Sequence, residues 1–261
     1  MDLASVIGLA GVFVMVVFGI LSGGGSFVLF FDIPSIFITL GGAMCAVIFT
    51  NPLENMMRLP NIVKNAFFVP KYDPAQVILT LVSFSEKARR EGLLALEDDL
   101  EEVSDAFLRK GVQLVVDGTE PELVRNIMSS ELGALSSRHE SNIKIVEDFS
   151  ALTPAFGMIG TLIGLVIMMK NLGGDKSAIG AGMATALITT FYGAVLAYGV
   201  FTPVSEKLKK YNAVELTMKE IIIEGTLSIQ AGDNPRIVQE KLVSFFSPAV
   251  RKKISEQIGD K

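Results

Sequence analysis

The sequence predicts an all-α membrane protein with four transmembrane helices and a large helical cytoplasmic domain between the second and the third. Three observations carry that reading. Four apolar stretches approach the roughly 20 residues that a helix rising 1.5 Å per residue needs to cross the hydrocarbon layer: Leu3 to Leu21, Phe27 to Phe49 with one interruption, Leu152 to Met169, and Ile179 to Phe201. The 261-residue chain is 50% hydrophobic yet holds 23 Lys and Arg with 28 Asp and Glu, so its charges are segregated from its apolar runs. No Lys or Arg precedes Arg58, Lys170 and Lys176 flank the turn between the last two stretches, and the others lie within residues 51–150 or after Thr202. The positive-inside rule then puts the long connection, both termini and the tail in the cytoplasm. Residues 1–50 form the first two spans, 51–150 the cytoplasmic helical domain, 151–203 the third and fourth spans, and 204–261 a cytoplasmic helical tail.

Taken in order, Met1-Asp2-Leu3 lacks the basic start of a secretory signal and the apolar run behind it is nearly span length, so it reads as a retained first membrane helix. The second span is interrupted at Asp32-Ile33-Pro34. An acid at that depth is a candidate for a channel vestibule, and it equally suits the cap of a helix that starts at Pro34. Cys45 lies in the apolar run that follows and reads as a small buried thiol.

In the connection, Asp73-Pro74 starts a helix in which Val77, Ile78, Leu81, Val82 and Phe84 recur at helical spacing until Gly92. Thr119 and Glu122 have the spacing of a capping box, ahead of a helix that runs on into the third span. No alternating strand pattern is present. Between them Lys87, Arg89, Arg90, Glu91, Glu97, Asp98, Asp99, Glu101 and Glu102 form a dense cluster of both signs, a solvated face or an electrostatic docking surface.

The third and fourth spans form a hairpin. Gly157, Thr161 and Gly164 fall at i, i+4 and i+7, and Gly182, Ala186, Thr190, Gly193 and Ala197 recur at similar spacing. Each span thus carries a stripe of small residues that lets another helix approach closely. Neither holds an Asp, Glu, Lys, Arg or His between its ends, so an ion crossing here meets a charge supplied from elsewhere. Pro154 and Pro203 lie at matching depth near the inner ends, and Pro203 should break or bend the chain where it leaves the bilayer. The tail is charged and amphipathic as far as the turn Gly232-Asp233-Asn234-Pro235. A last short helix then carries Ile237, Val238, Leu242 and Phe245 and packs with the tail against the connection.

Several function classes are excluded. A net charge of −5 argues against a nucleic-acid partner. One Cys and one His leave no disulfide framework and no His/Cys metal cluster. No phosphate-binding loop and no nucleophile with a histidine base is present, so neither an enzyme nor a cofactor is expected.

Four separated motifs, Gly157 to Leu165, Thr189 to Gly193, Arg89 to Glu97, and Glu224-Gly225 through Asn234-Pro235-Arg236, resemble the MotA/PomA family of flagellar stator proteins, in register over essentially the whole chain. The resemblance implies a ring of five copies in the bacterial inner membrane, among lipid, around a dimer of a MotB/PomB-type single-span partner that supplies an essential aspartate. It implies that ion flow turns the ring, whose cytoplasmic domains push on FliG of the rotor. Pro154 and Pro203 match the family's coupling prolines. Arg89 and Glu97 match its rotor-facing charges, with Lys87, Arg90 and Asp98 as neighbours. Thr161 and Thr190 match threonines of sodium-driven members, and their oxygens suit a dehydrated hard cation. Thr189 lies about 100° round the helix, so Thr190, on the small stripe, is the better candidate to face the ion. Sodium is therefore the expected cargo. A proton-driven stator of the same family, an ExbB/TolQ-like energiser of envelope transport and a non-conducting membrane scaffold are the alternatives. Four spans and the Arg89 to Glu97 motif count against the energiser.

Overall fold

The structure is a computed structural model that describes residues 2–68, 73–173 and 176–259. Every regular element among them is helical, and four helices are long and apolar enough to cross a membrane. They are α1 (Leu3–Ser22), α2 (Ile33–Thr50), α7 (Pro121–Lys170) and α8 (Ser177–Ala231). Gly174 and Asp175 of the turn between the last two lie outside the described residues. Between α2 and α7 come α3 (Leu53–Met57), α4 (Leu59–Asn65), α5 (Pro74–Glu91) and α6 (Ala106–Val116), and after α8 come α9 (Pro235–Val243) and α10 (Pro248–Gly259). The tail therefore holds one helix more than its apolar spacing suggested.

Contacts divide the chain into a span unit, Met1–Val69 with His139–Lys210, and a second unit, Pro70–Arg138 with Tyr211–Lys261. These boundaries differ from the divisions expected at residues 50, 150 and 203. The reason is helix length: α7 runs unbroken for 50 residues and α8 for 55, so the divisions at 150 and 203 fall inside helices and neither is marked by a loop.

In the span unit, Asp2 caps α1 by accepting from the Ala4 amide at 3.2 Å, and its own amide donates to the Phe67 carbonyl at 2.9 Å. The Asp2 carboxylate also pairs with Lys207. The hydrogen bond from Lys207, reinforced by that from the Ser5 hydroxyl, holds the Asp2 carboxyl down at about 2. An inner cluster of Val47, Ile62, Ala66, Ile145, Val146, Phe149 and Val204 is buried, whereas α1 buries no residue at all. Cys45 is exposed rather than buried. In a membrane span an apolar position can face lipid, so hydrophobicity alone does not predict burial within protein.

The second unit has a conventional apolar core. Ile78 and Leu81 of α5, Val112 and Val115 of α6, Val124 and Met128 of α7, Ile221 and Ile222 of α8, and Val238 and Leu242 of α9 all pack in it. Asp73 caps α5, as its position before Pro74 predicted, by accepting from the Ala75 and Gln76 amides at 3.1 and 3.3 Å. Asp105 caps α6 and also takes two hydrogen bonds from Lys219, at 2.8 and 3.1 Å. Burial alone would raise the Asp105 carboxyl, but the Lys219 bonds and the Leu108 and Phe107 amides outweigh it and hold it below the usual range. Glu224 behaves alike: burial opposes, and Lys241 and Arg125, paired with it at 3.0 and 2.8 Å, pull it down.

Candidate functional site

The hairpin of α7 and α8 is built on missing side chains. A Cβ on Gly164 would stand 2.5 Å from the Gly182 carbonyl oxygen, and one on Gly193 would stand 3.0 Å from the Thr153 carbonyl oxygen and 3.1 Å from the Pro154 Cα. Only glycine allows backbones that close. Gly160, outside the stripe read from the sequence, belongs to the same seam, since a Cβ there would meet the Thr189 side chain at 2.4 Å.

This close approach sets two hydroxyls side by side. Thr161 Oγ1 and Thr190 Oγ1 are 2.5 Å apart. Thr161 also lies 3.0 Å from the Gly157 carbonyl and 3.1 Å from the Ala186 carbonyl, and Thr190 lies 3.2 Å from the same Ala186 carbonyl. Thr161 is half-buried and Thr190 exposed, so the oxygens reach the surface of the chain. They form a neutral group of hard donors that can accept a proton's hydrogen bond or contribute ligands to a cation. Among the described residues no group of three or more His, Cys, Asp or Glu could hold a metal ion. Sequence reasoning missed the Ala186 carbonyl. Its signal was its place four residues before Thr190, where a helical threonine's back-bond ends.

Thr189 does not join the pair. It is fully buried, its hydroxyl donates to the Thr185 carbonyl at 2.9 Å or the Ala186 carbonyl at 3.1 Å, and its own carbonyl accepts from Thr39 of α2 at 3.4 Å. It fastens α2 and α7 to α8.

The two prolines sit in linked surroundings. Pro154 lies inside α7 without ending it. Pro203 does not break α8 either: a π-helical turn, Ala197–Phe201, immediately precedes it and the α-helix resumes at Thr202. Proline lacks the amide that a regular helix would direct to the carbonyl of residue 199, and the wider turn takes up that irregularity. The Ser150 and Thr202 hydroxyls, one four residues before Pro154 and one directly before Pro203, are 2.6 Å apart. Beside them the Phe149 and Phe201 rings stack with centroids 5.0 Å apart.

Asp32 is the N-cap of α2. It accepts from the Ser35 amide at 3.0 Å and from the Ser35 hydroxyl. Its amide donates to the Tyr192 hydroxyl at 3.3 Å, and that hydroxyl donates to the Phe30 carbonyl. Of its two sequence readings, this geometry is that of the cap.

In the second unit, the candidate charges stand on a segment pinned from beneath. Leu96 and Leu100 are buried in the core, and Glu97 and Asp98 face outward between them. Arg89 and Arg90 are exposed on the last turn of α5, which ends at Gly92 with φ +90°. Lys87 is bound to Asp99 at 2.7 Å, a bond that raises its pKa, and Arg90 reaches Glu86 at 3.4 Å. Arg89 and Glu97 make no ion pair with the described residues, so their charges remain available at the surface.

Comparison with known proteins shows the family. Residues 99–221 match the MotA/TolQ/ExbB proton channel family and residues 6–92 match the Motility protein A N-terminal model. The chain is 42% identical to Motility protein A of Borreliella burgdorferi over 99% of each chain. It is 36% identical to Chemotaxis protein PomA of Vibrio alginolyticus, over 96% of this chain and 98% of that one. It superposes on the structure of the flagellar MotAB stator complex from Bacillus subtilis with a TM-score of 0.87 and 30% identity, covering 96% of this chain and 98% of that one. With its four spans, its small-residue hairpin and relatives matched end to end, the chain belongs to the MotA family, the ion-conducting stator proteins of the flagellar motor, and is not an enzyme.

Proposed function

We propose that this chain is the ring-forming half of a sodium-driven stator, and the Thr161, Thr190 and Ala186 oxygen group carries the proposal. The hairpin itself offers no charge, so a MotB-type partner, as in the MotAB complexes that the fold resembles, brings a carboxylate beside these oxygens. Sodium enters from outside, is held between that carboxylate and Thr161 with Thr190, and leaves inward as a ring of five copies advances by one subunit. Taking the carboxylate's charge away removes a buried-charge cost of several kcal/mol, enough to change which arrangement of the ring is favoured. Pro154 and Pro203, joined through Ser150 and Thr202, pass the change along α7 and α8. Arg89 and Glu97, with Arg90 and Asp98, press on FliG of the rotor. The protein works in the bacterial inner membrane with both termini in the cytoplasm.

One observation favours a second reading. Each threonine hydroxyl already has a carbonyl of its own chain within reach, as a purely structural back-bond would. A proton-driven stator needs no more of them, and the matched family model is described as a proton channel family. Swimming speed against external sodium at fixed pH, with and without a protonophore, separates the two. Sodium-dependent motility that survives the protonophore is expected, and Thr161→Val should raise the sodium needed for half-maximal speed about tenfold, which is about 1.4 kcal/mol. Motility indifferent to sodium and abolished by the protonophore would return both threonines to packing.

A further inference from the structure

We infer that a cleft beneath the first half of α1 is a binding site for one acyl chain of a membrane phospholipid, with the headgroup at the Asp2, Ser5 and Lys207 end. The inference does not depend on which ion the stator uses. The cleft holds about 380 Å³ and is walled by Ala4, Gly8, Leu9 and Val12 of α1, by Ala66 and Phe67, and by Gly199, Pro203 and Val204 of α8. That volume is at the low end for ligand pockets and suits a single chain rather than a whole two-chain lipid.

The chemistry of the lining says what fills it. Nearly all of the wall is apolar, and the polar groups collect at one end, where Ser5 donates to Asp2 at 2.7 Å and Lys207 pairs with the same carboxylate. Asp2 directly precedes a span, and Lys207 follows the apolar run of α8 by a few residues, so this end lies where hydrocarbon gives way to headgroups. An occupant that matches this wall is apolar along its length and polar at that depth, which describes a phospholipid. The space also has a local cause. A Cβ on Gly8 would meet nothing within 4 Å, and Gly199 brings only the Val12 side chain within 3.1 Å of where its own Cβ would stand.

A second cleft under the outer half of α1, lined by Phe13, Val17, Phe30, Leu40, Phe191 and Val195 among others, holds about 340 Å³ but is almost wholly apolar. It lacks the ionic end and serves as the contrast.

The test uses the full chain, with its partner, in mixed vesicles of phosphatidylethanolamine and phosphatidylglycerol carrying a photoactivatable group in the acyl chain. Label is expected to concentrate on residues 4–12 and 199–204. Gly8→Leu, which fills the cleft, should reduce that label about tenfold, while Gly19→Leu, on an exposed part of α1 outside the cleft, should leave it unchanged. If Gly8→Leu does not insert, Gly8→Ala gives the same comparison with a smaller reduction. Label spread evenly over α1, label unaffected by either Gly8 variant, or no label in the cleft because a second copy fills it, would each overturn the assignment.

Discussion

The two compact units solve opposite packing problems with opposite residues. The second unit hides large side chains, Ile78, Leu81, Leu96, Met128, Ile221 and Leu242, from water. The hairpin of the span unit turns large side chains outward, Met158 at 62% exposure and Leu162 at 64%, and keeps glycines and hydroxyls inside, with Gly157, Gly160, Gly164, Thr153 and Thr189 all buried. Lipid is as apolar as leucine, so burying a leucine there gains little, and close backbone approach with satisfied hydroxyls does the holding. A substitution that is mild in one unit should therefore be severe in the other.

The largest effect should come from emptying the second unit's core. Leu81→Ala removes a fully buried side chain that packs against Gly225, and should cost about 3 to 4 kcal/mol in denaturant unfolding of the purified chain. Leu162→Ala, on the exposed face of α7, should change stability in detergent by less than about 0.5 kcal/mol. Equal losses at the two positions would break the comparison. Gly164→Val should do to the span unit what Leu81→Ala does to the core, by the reverse means. It overpacks a seam in which even a Cβ meets the Gly182 oxygen, and about 3 kcal/mol of lost thermal stability is expected.

A smaller effect belongs to the capped ion pair. Lys219→Met leaves Asp105 capping α6 without its cation and should cost about 1 to 2 kcal/mol near neutral pH. The folded-state pKa values of Asp105 and Glu224 lie below their unfolded values, so their stabilisation is fully present above the ordinary carboxylate range, near about 4. It is lost as pH falls through the lowered folded values. Acid titration of the second unit's unfolding should therefore lose stability only below that range, and Lys219→Met should flatten the slope. The smallest effect on stability, within about 0.5 kcal/mol, is expected for Arg89→Glu combined with Glu97→Arg, because both side chains are exposed. Torque, read as swimming speed in viscous medium, should nonetheless fall while ion flux persists.

The same contrast explains what could be read from the sequence. Capping chemistry was sufficient for the Asp73-Pro74 start of α5, and a helix continuing from the connection into the third span was legible too, because both are local. The phase of a 3.6-residue helix was enough to separate Thr190 from Thr189. What depended on a distant partner was not legible. Gly160 belongs to the seam only because Thr189 lies opposite it, and Lys87 is tied down only because Asp99, twelve residues on, returns to it. Pro203 was expected to break or bend the helix, and the sequence shows the missing amide but not the π turn that accommodates it. Exposure of Cys45 was invisible for the reason that governs the whole span unit, since its apolar surface has no need to be covered by protein.

The Ala186 carbonyl has one further consequence. Three hydroxyls, those of Thr161, Thr189 and Thr190, lie within reach of this one oxygen, which has two lone pairs. At any instant at least one claimant must look elsewhere, and each has an alternative: the Gly157 carbonyl, the Thr185 carbonyl, or the neighbouring threonine. The same heavy-atom positions thus accommodate several proton patterns, exchanged by turning a hydroxyl about its own C–O bond. A charge drawing near one member can re-sort the trio without moving a helix, by changing who donates to whom.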